Sequence, residues 1–244
     1  MRNLSLILAY DGTNYHGWQC QPDVVTIEET VRGAVQKILD HETKVYAGAR
    51  TDSGVHALGQ VVNFRTEKGI GHSNLIKGLN SLLPADIRVM GASDVDEDFH
   101  ARYSARSKTY VYCILNDLLN SPFLSRYVLH WPWSLDIPAV NEALKWILGE
   151  HDFSAFKKKD EPYRNPVREV KKAHFVRKGK MIYFVVEGTG FLRYMVRTIV
   201  GTAFLVGQGK ISSVEFKEIL ESRERERAGQ TMPARGLFLK KIRY

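Results

Sequence analysis

The chain has 244 residues, of which 44% are hydrophobic, and a formal net charge of +8 at pH 7. This length supports two hydrophobic cores of about a hundred residues each. The basic balance, with a pI near 9.4, favours a polyanionic partner, with nucleic acid as the first candidate. Cys20 and Cys113 lack CxxC spacing, which argues against a disulfide framework or a structural zinc site and predicts a reducing, cytoplasmic compartment.

The first hundred residues alternate strand and helix patterns. Leu4–Tyr10 is an apolar run that predicts a buried strand. Thr26 followed by Glu29 predicts a capping box at the start of a helix, because apolar residues recur at helical spacing behind it. The elements predicted after this helix are strands at Val45–Ala47 and Gln60–Arg65, a helix at Ser73–Leu83 and a strand at Ile87–Ser93. The order β, α, β, β, α, β is that of the ferredoxin-like split unit.

The rest of the chain repeats this organisation in a longer form. Strands are predicted at Lys108–Leu115, Lys171–Val176, Met181–Glu187 and 236–244, and helices at Asp136–Leu148, Phe191–Val206 and Ser212–Ser222. The predicted fold is therefore α+β, with two similar ferredoxin-like or RRM-like halves, antiparallel sheets and a central basic cleft for a large ligand. We place the domains at residues 1–104, which carry the segment around Asp52, and 105–244, which carry a basic surface.

Basic residues concentrate between residues 157 and 180, a segment called the basic stretch below. Lysines and arginines neutralise backbone phosphates, and the aromatic residues in and beside this stretch could stack on bases. A purely solubilising basic face is the alternative. The residues predicted to bind RNA are Lys157, Lys158, Lys159, Arg164, Arg168, Lys171 and Lys172.

The stretch YAGARTDSGVHALGQ, residues 46–60, brings reactive side chains together between two predicted strands. Asp52, Ser53 and His56 are the residue types of a nucleophilic triad, but their close spacing and the lack of a GxSxG elbow argue against a serine hydrolase. The histidines of the chain show no HExxH-like pair, which argues against a metal site. What remains is a carboxylate beside Arg50 in a glycine-bearing loop, and spacing alone does not separate a catalytic Asp52 from one that caps a turn.

GARTDSGVHA resembles the catalytic motif of the tRNA pseudouridine synthase A family, whose usual form is GRTD, a small residue and GVHA. Further motifs shared with this family occur in the family's order and cover nearly the whole chain. They are FHARYSARSKTYVY (99–112), SPFLSRY (121–127), GEHDFSAFK (149–157), GTGFLRYMVRTIVG (188–201) and ARGLFLKKIRY (234–244). The chain departs from the usual motif at Ala49, where many members have glycine, and a methyl group there narrows the backbone angles but removes no chemistry.

The resemblance implies an isomerase that converts uridine to pseudouridine at positions 38 to 40 of the tRNA anticodon stem-loop, without a cofactor or a metal, as a homodimer. Asp52 matches the family's essential aspartate, and Arg197 matches the arginine that pairs with it. Tyr110 matches the tyrosine that stacks on the uracil, and Leu237 matches an apolar residue that packs on the base. Arg50 matches the arginine associated with extruding the target nucleotide, a step that costs a few kcal/mol of stacking.

Several alternatives stay open at this point. Asp52 acts either as a nucleophile or in abstracting a proton from the ribose, and attack on the sugar, attack on the base and a glycal route all fit the sequence. Since an aspartate is already ionised at neutral pH, Arg197 is expected mainly to orient it. Ser53 and His56 are expected to shape the loop. A non-catalytic RNA-binding protein with two sheet platforms is the alternative from another class, and a pseudouridine synthase acting on other RNA is a third.

Overall fold

The computed structural model describes residues 1–159 and 165–244, which form two compact units. The first unit comprises residues 1–106 together with 238–244, and the second comprises residues 107–237. The end of the chain thus returns to the first unit, whereas the sequence-based boundary assigned everything after residue 104 to the second domain. A pairing between residues so far apart in the chain leaves no local sequence pattern.

Strands and helices alternate along both units. None of the helices in the described parts of the chain is long and apolar enough to cross a membrane. The elements in chain order are β1 (Arg2–Tyr10), α1 (Ile27–Leu39), β2 (Tyr46–Ala47), β3 (His56–Thr66), α2 (His72–Leu82), β4 (Ile87–Val95), β5 (Ser107–Leu115), β6 (Leu129–His130), α3 (Ile137–Leu144), β7 (Gly149–Asp152), β8 (Val167–Lys178), β9 (Met181–Gly188), α4 (Met195–Gly207), α5 (Ser213–Ser222) and β10 (Leu237–Arg243).

The first unit has the strand order predicted for a ferredoxin-like split unit. β1 lies between β4 and β3 in antiparallel pairing, and β2 pairs antiparallel with β3. The outer edge of β3 is shared, because β2 pairs with residues 62 and 63 while β10 runs parallel to residues 56 and 57. The segment that carries Asp52 connects β2 to β3. It precedes the end of β3 that pairs with β10.

The core of the first unit is built from alternating strand residues and one face of each helix. The side chains of Leu4, Leu6 and Leu8 in β1 are fully buried. Burying an aliphatic side chain of this size contributes about 1.5–3 kcal/mol. The helices add Ile27, Val31, Ala34, Val35 and Leu39 from α1 and Leu75 and Leu79 from α2.

The N-terminus of α1 differs from the predicted capping box. Thr26 is the N-cap residue, but its side chain makes no capping hydrogen bond and its buried hydroxyl has no partner among the described residues. The first two helical amides, those of Ile27 and Glu28, donate instead to the carbonyls of Gly17 and Trp18 at 3.1 and 2.9 Å. The predicted capping box is therefore wrong, and a preceding loop supplies the acceptors for the first two helical amides.

The second unit repeats the pairing scheme of the first. β5 pairs antiparallel with β9, and β9 with β8, as β1 pairs with β3 and β3 with β2. β7 extends this sheet beyond β8, and β6 pairs parallel with β5. α3 packs against α4, α5 and β8. The α+β fold with mostly antiparallel strands is the one predicted.

Helix ends in the second unit follow local signals except where the backbone turns sharply. The side chain of Asp136 caps α3 by accepting from the amide of Ala139, and α3 passes into a 3-10 turn after Leu144. α4 begins at Met195 rather than at Phe191, because Tyr194 adopts a left-handed backbone conformation with a φ of +68°. The apolar periodicity of this segment shows that it is buried, but not where its helix starts.

Candidate active site

Residues 48–55, called the Asp52 loop below, connect β2 to β3. The loop ends in a turn in which the amide of Val55 donates to the carbonyl of Asp52 at 3.1 Å. Gly54 lies inside this turn with a φ of +75°, a conformation that favours glycine. Asp52 is half-buried and Arg50 is exposed. The predicted position of Asp52 in a loop between two strands is confirmed.

Two glycines let the segment before α1 press its backbone directly against the Asp52 loop. A Cβ atom added at Gly17 would lie 2.6 Å from the carbonyl oxygen of Thr51, and one at Gly12 would lie 2.1 Å from that of Val55. Gly17 also has a φ of +89°, and the amide next to it, that of Trp18, donates to the Thr51 carbonyl at 3.0 Å. Any side chain at these two glycines would therefore displace the loop.

Buried side chains hold the residues just before Asp52. Gln60, which is fully buried, accepts at Oε1 from the amide of Ala49 at 3.1 Å and donates from Nε2 to the carbonyl of Ala49 at 2.6 Å. The hydroxyls of Tyr10 and Thr51 lie 2.8 Å apart. Burial raises the pKa of Tyr10 to about 12, although hydrogen bonds to Thr51 and Gln60 oppose this shift. The sequence analysis did not identify Gln60 or Tyr10 as residues that hold the loop. The available signal for Gln60 was its polar carboxamide inside a predicted strand.

Ala49 is compatible with this arrangement although many members of the resembling family have glycine there. Its backbone lies outside the left-handed region, so the position makes no demand for glycine. The residue is buried, with 4% of its surface exposed. The departure from the usual motif therefore leaves the geometry of the loop intact.

Ser53 and His56 fasten the far end of the loop. The hydroxyl of Ser53 donates to the carbonyl of Tyr15 at 3.3 Å. His56 is 1% exposed, its Nδ1 lies 3.1 Å from the amide nitrogen of Gly12, and its ring stacks on Phe238 with the ring centres 4.6 Å apart. In the described parts of the chain, Ser53 thus contacts the segment before α1 at Tyr15, and His56 contacts it at Gly12. This is the loop-shaping role expected for them.

Arg197 belongs to the second unit and is held from two directions. Its Nε donates to the carbonyl of Met232 at 2.6 Å, and the amide of Met232 donates back to the carbonyl of Arg197 at 3.3 Å. The guanidinium carbon lies 4.9 Å from the centre of the Tyr194 ring, which is a cation–π contact. A side chain fixed in this way suits an orienting role, which stays a prediction.

Tyr110 and Tyr112 project from the same face of β5, and Leu237 begins β10. Tyr112 is fully buried, its hydroxyl donates to the carbonyl of Pro233 at 2.7 Å, and burial raises its pKa. It is therefore a core residue. Tyr110 is 7% exposed and meets the ring of Phe191 edge-on at 5.3 Å, and Leu237 is 4% exposed. The roles of Tyr110 and Leu237 at the base stay predictions.

The first part of the basic stretch is partly buried and partly paired. Lys157 and Lys158 are half-buried, whereas Lys159 is exposed and forms an ion pair with Glu226 at 2.9 Å. Arg164 lies outside the described residues. Pairing with a carboxylate lowers the net charge that Lys159 offers to a phosphate.

The second part of the basic stretch lies on β8. Lys171 and Lys172 are exposed, and Lys171 lies 3.9 Å from a carboxylate oxygen of Glu169. Arg168 is half-buried, and its Nη1 donates to the carbonyl of Asn165 at 2.9 Å. The predicted contacts of these residues with RNA stay predictions.

The predicted site residues fall into two sets. Arg50 and Asp52 share one loop of the first unit, and Tyr110, Arg197 and Leu237 belong to the second. Within residues 1–159 and 165–244, no three His, Cys, Asp or Glu side chains are grouped as a metal ion would require. A partly exposed carboxylate on a fastened loop can act as a nucleophile or stabilise a developing positive charge.

Known proteins resemble this chain over its full length. A family described as tRNA pseudouridine synthase matches residues 6–104 and 143–244. The tRNA pseudouridine synthase A of Acetivibrio thermocellus is 43% identical and that of Thermoanaerobacter sp. strain X514 is 44% identical, each over 244 residues that cover 100% of both chains. The tRNA pseudouridine synthase A 2 of Clostridium perfringens is 43% identical over 245 residues, again covering 100% of both chains. The chain therefore belongs to the tRNA pseudouridine synthase family, isomerases that act on uridine in tRNA.

Proposed function

We propose that this chain isomerises uridine to pseudouridine at positions 38 to 40 of the tRNA anticodon stem-loop, with Asp52 as the nucleophile. The observation that carries the proposal is the setting of Asp52, a half-buried carboxylate on a loop whose backbone is fastened at Ala49, Thr51 and Val55. A reacting group must be held in place for its geometry to lower the barrier. The match of GARTDSGVHA to the family's catalytic motif supports the same residue.

The chemistry suits a carboxylate. The reaction breaks the bond between N1 and C1′, joins C5 to C1′, removes the proton from C5 and leaves a proton on N1, so its atoms balance without a co-reactant. An aspartate is ionised at neutral pH and can stabilise positive charge developing at C1′. Attack on the sugar, attack on the base and the glycal route each use the ionised form of Asp52.

Residues matched by the resemblance supply the supporting roles. Arg50 is exposed beside Asp52 and is proposed to fill the space left by the extruded nucleotide. Tyr110 stacks on the uracil and Leu237 packs on it. Arg197, whose guanidinium is held by Met232 and Tyr194, orients the Asp52 carboxylate. The lysines of the basic stretch bind the phosphate backbone.

The test of Asp52 uses unmodified tRNA labelled with tritium at C5 of uridine. Asp52→Asn is expected to keep tRNA binding within a few fold of the unmutated chain while tritium release falls to background. Asp98→Asn, which changes an exposed carboxylate of the same unit, serves as the matched control and should release tritium normally. Retained release by Asp52→Asn would remove Asp52 from its role.

The target positions are tested with transcripts in which uridine at 38, 39 or 40 is replaced singly by cytidine. Pseudouridine is expected at each of these positions that carries uridine. Modification outside the anticodon arm would indicate a pseudouridine synthase with another target. No release by the unmutated chain on any unmodified tRNA would favour a non-catalytic RNA-binding protein.

The proposal includes a cytoplasmic enzyme that acts as a homodimer, with one tRNA touching both copies. Sedimentation of the purified protein should then give twice the chain mass of 27.8 kDa. A single-chain mass at working concentrations would contradict the dimer without affecting the assignment of the reaction.

A further inference from the structure

The outer edge of β3 changes its partner in the middle of the strand. β2 pairs with residues 62 and 63, and β10 pairs with residues 56 and 57. As the chain leaves β2, the amide of Gly48 still donates to the carbonyl of Val61 at 2.8 Å. The next residue, Ala49, pairs with a side chain instead of the strand backbone.

Gln60 supplies that side chain. Its carboxamide accepts from the amide of Ala49 at 3.1 Å and donates to the carbonyl of the same residue at 2.6 Å. A carboxamide is a neutral group that offers an N–H donor and a C=O acceptor, as a peptide group does. Gln60 is 0% exposed and Ala49 is 4% exposed, so water does not replace either bond, and losing them would leave buried peptide groups unpaired.

We propose that Gln60 is a positioning residue for pseudouridine formation: its carboxamide takes the place of a strand pairing at Ala49 and thereby sets where the loop carries Asp52. The inference rests on the proposed role of Asp52. Because Gln60 is fully buried, it has no surface with which to bind tRNA. Its loss should therefore lower the rate of the chemical step and leave substrate affinity unchanged.

The first test is Gln60→Met, which keeps an unbranched side chain of similar length and removes both hydrogen bonds to Ala49, together with the hydrogen bond to Tyr10. The expected result is a fall in kcat of about a hundredfold in tritium release, as for a reacting group displaced by about 1 Å, with KM and the tRNA dissociation constant unchanged within a few fold. A kcat equal to that of the unmutated chain would overturn the inference.

A matched control separates positioning from general loss of stability. Asn63 lies on the same strand, is 2% exposed, and uses its carboxamide to bind Asn3 at 2.9 Å and the amide of Ala101 at 2.9 Å, neither of which belongs to the Asp52 loop. Asn63→Leu should lower the unfolding temperature as much as Gln60→Met or more, and keep kcat within a few fold. An equal loss of kcat in both variants would overturn the inference.

Gln60→Glu gives a second readout that holds even if Gln60→Met fails to fold. The introduced carboxyl can make both bonds to Ala49 when protonated and loses the donor when ionised, and burial raises the pKa of such a group. Tyr10, whose pKa is about 12, stays protonated throughout. The ratio of variant to unmutated kcat should fall about tenfold between roughly pH 6 and pH 9, and a constant ratio would contradict the proposal.

Asp52→Asn is measured beside these variants so that two failures can be told apart. If Asp52→Asn keeps full activity, the proposed function of Asp52 fails. If Asp52→Asn is inactive and Gln60→Met is fully active, only the positioning role of Gln60 fails.

Discussion

The Asp52 loop and the basic stretch contribute to the same proposed reaction but are built in opposite ways. The loop is fastened by glycines in close contact, by the carboxamide of Gln60 and by the hydroxyl of Tyr10. The basic stretch presents the exposed lysines Lys171 and Lys172, and the ammonium group of Lys171 lies 3.9 Å from a carboxylate oxygen of Glu169. A group that forms bonds needs a fixed position, whereas a group that attracts phosphates needs only charge at roughly the right distance.

This contrast predicts how each region responds to substitution. Changes that shift the backbone of the Asp52 loop should lower kcat steeply. Changes in the basic stretch should weaken tRNA binding by small, nearly independent steps that depend on salt.

The largest effect is expected for Gly17→Ala. The added methyl group would lie 2.6 Å from the Thr51 carbonyl, at a φ of +89°, which costs about 2–5 kcal/mol of unfolding free energy from strain and crowding. Displacement of the loop should also lower kcat by more than about a hundredfold. Urea unfolding and tritium release measure the two effects.

Gly33→Ala is the control for Gly17→Ala, because a Cβ atom there meets nothing within 4 Å on exposed α1 surface. It should raise the unfolding free energy by about 0.5–1 kcal/mol. Equal unfolding midpoints for the two variants would show that the Asp52 loop tolerates displacement of its backbone. That result would contradict the proposed difference between the Asp52 loop and the basic stretch.

A smaller effect is expected for Arg197→Lys. This substitution tests whether a change at Arg197, as in the Asp52 loop, lowers kcat rather than tRNA affinity. Lysine keeps the charge but cannot reproduce the planar contacts with Met232 and Tyr194. Loss of a hydrogen bond from a charged group, worth about 1.5–3 kcal/mol, should lower kcat about tenfold to a hundredfold with tRNA affinity unchanged. A change in affinity alone would move Arg197 to the group of phosphate-binding residues.

Effects in the basic stretch should be smaller still. Lys172→Ala removes an exposed cation and should reduce the slope of log K against log salt by about 1, with kcat unchanged. Lys159→Ala should change the slope less, because Glu226 already lies 2.9 Å from its ammonium group. Filter binding between 50 and 200 mM salt measures both slopes. Identical slopes for the two variants and the unmutated protein would contradict a phosphate-binding role for Lys159 and Lys172.

The smallest effect lies outside both regions, at Asp94. The Arg2 guanidinium, with a further contribution from His72, lowers the pKa of Asp94 below its usual range. A carboxyl whose folded pKa is depressed contributes stability above its unfolded pKa and loses it as pH falls through the folded value. Asp94→Asn should therefore lower the unfolding temperature slightly near neutral pH, and the difference should vanish in strong acid, while kcat stays unchanged at all pH values.

Local signals predicted the elements of this fold well, and long-range contacts account for the errors. Asp136 caps α3 as its sequence indicates. Ser212 and Glu215 form a complete capping box at α5. The similar pattern at Thr26 gives no side-chain cap, and carbonyls of a preceding loop accept from the first two helical amides there. A capping motif identifies groups that can bond, and the surrounding fold decides whether they do.

The candidate site shows the same division. Aspartate and glycine between two predicted strands indicated the loop, and the resemblance of GARTDSGVHA to the family's catalytic motif indicated Asp52 within it. Nothing near Asp52 in the chain indicated Gln60, Tyr10 or Gly17, whose importance comes from contacts with the loop.

By itself, the sequence determined the alternation of strands and helices, which depends on residue types at short spacing. Its ordered set of family motifs determined the family and the carboxylate proposed to react. Only the tertiary structure decided that β10 returns to β3 and that a buried carboxamide completes the sheet at Ala49. Hydrogen-bond donors and acceptors are satisfied by whichever groups the fold brings near, and distance along the chain does not limit that choice.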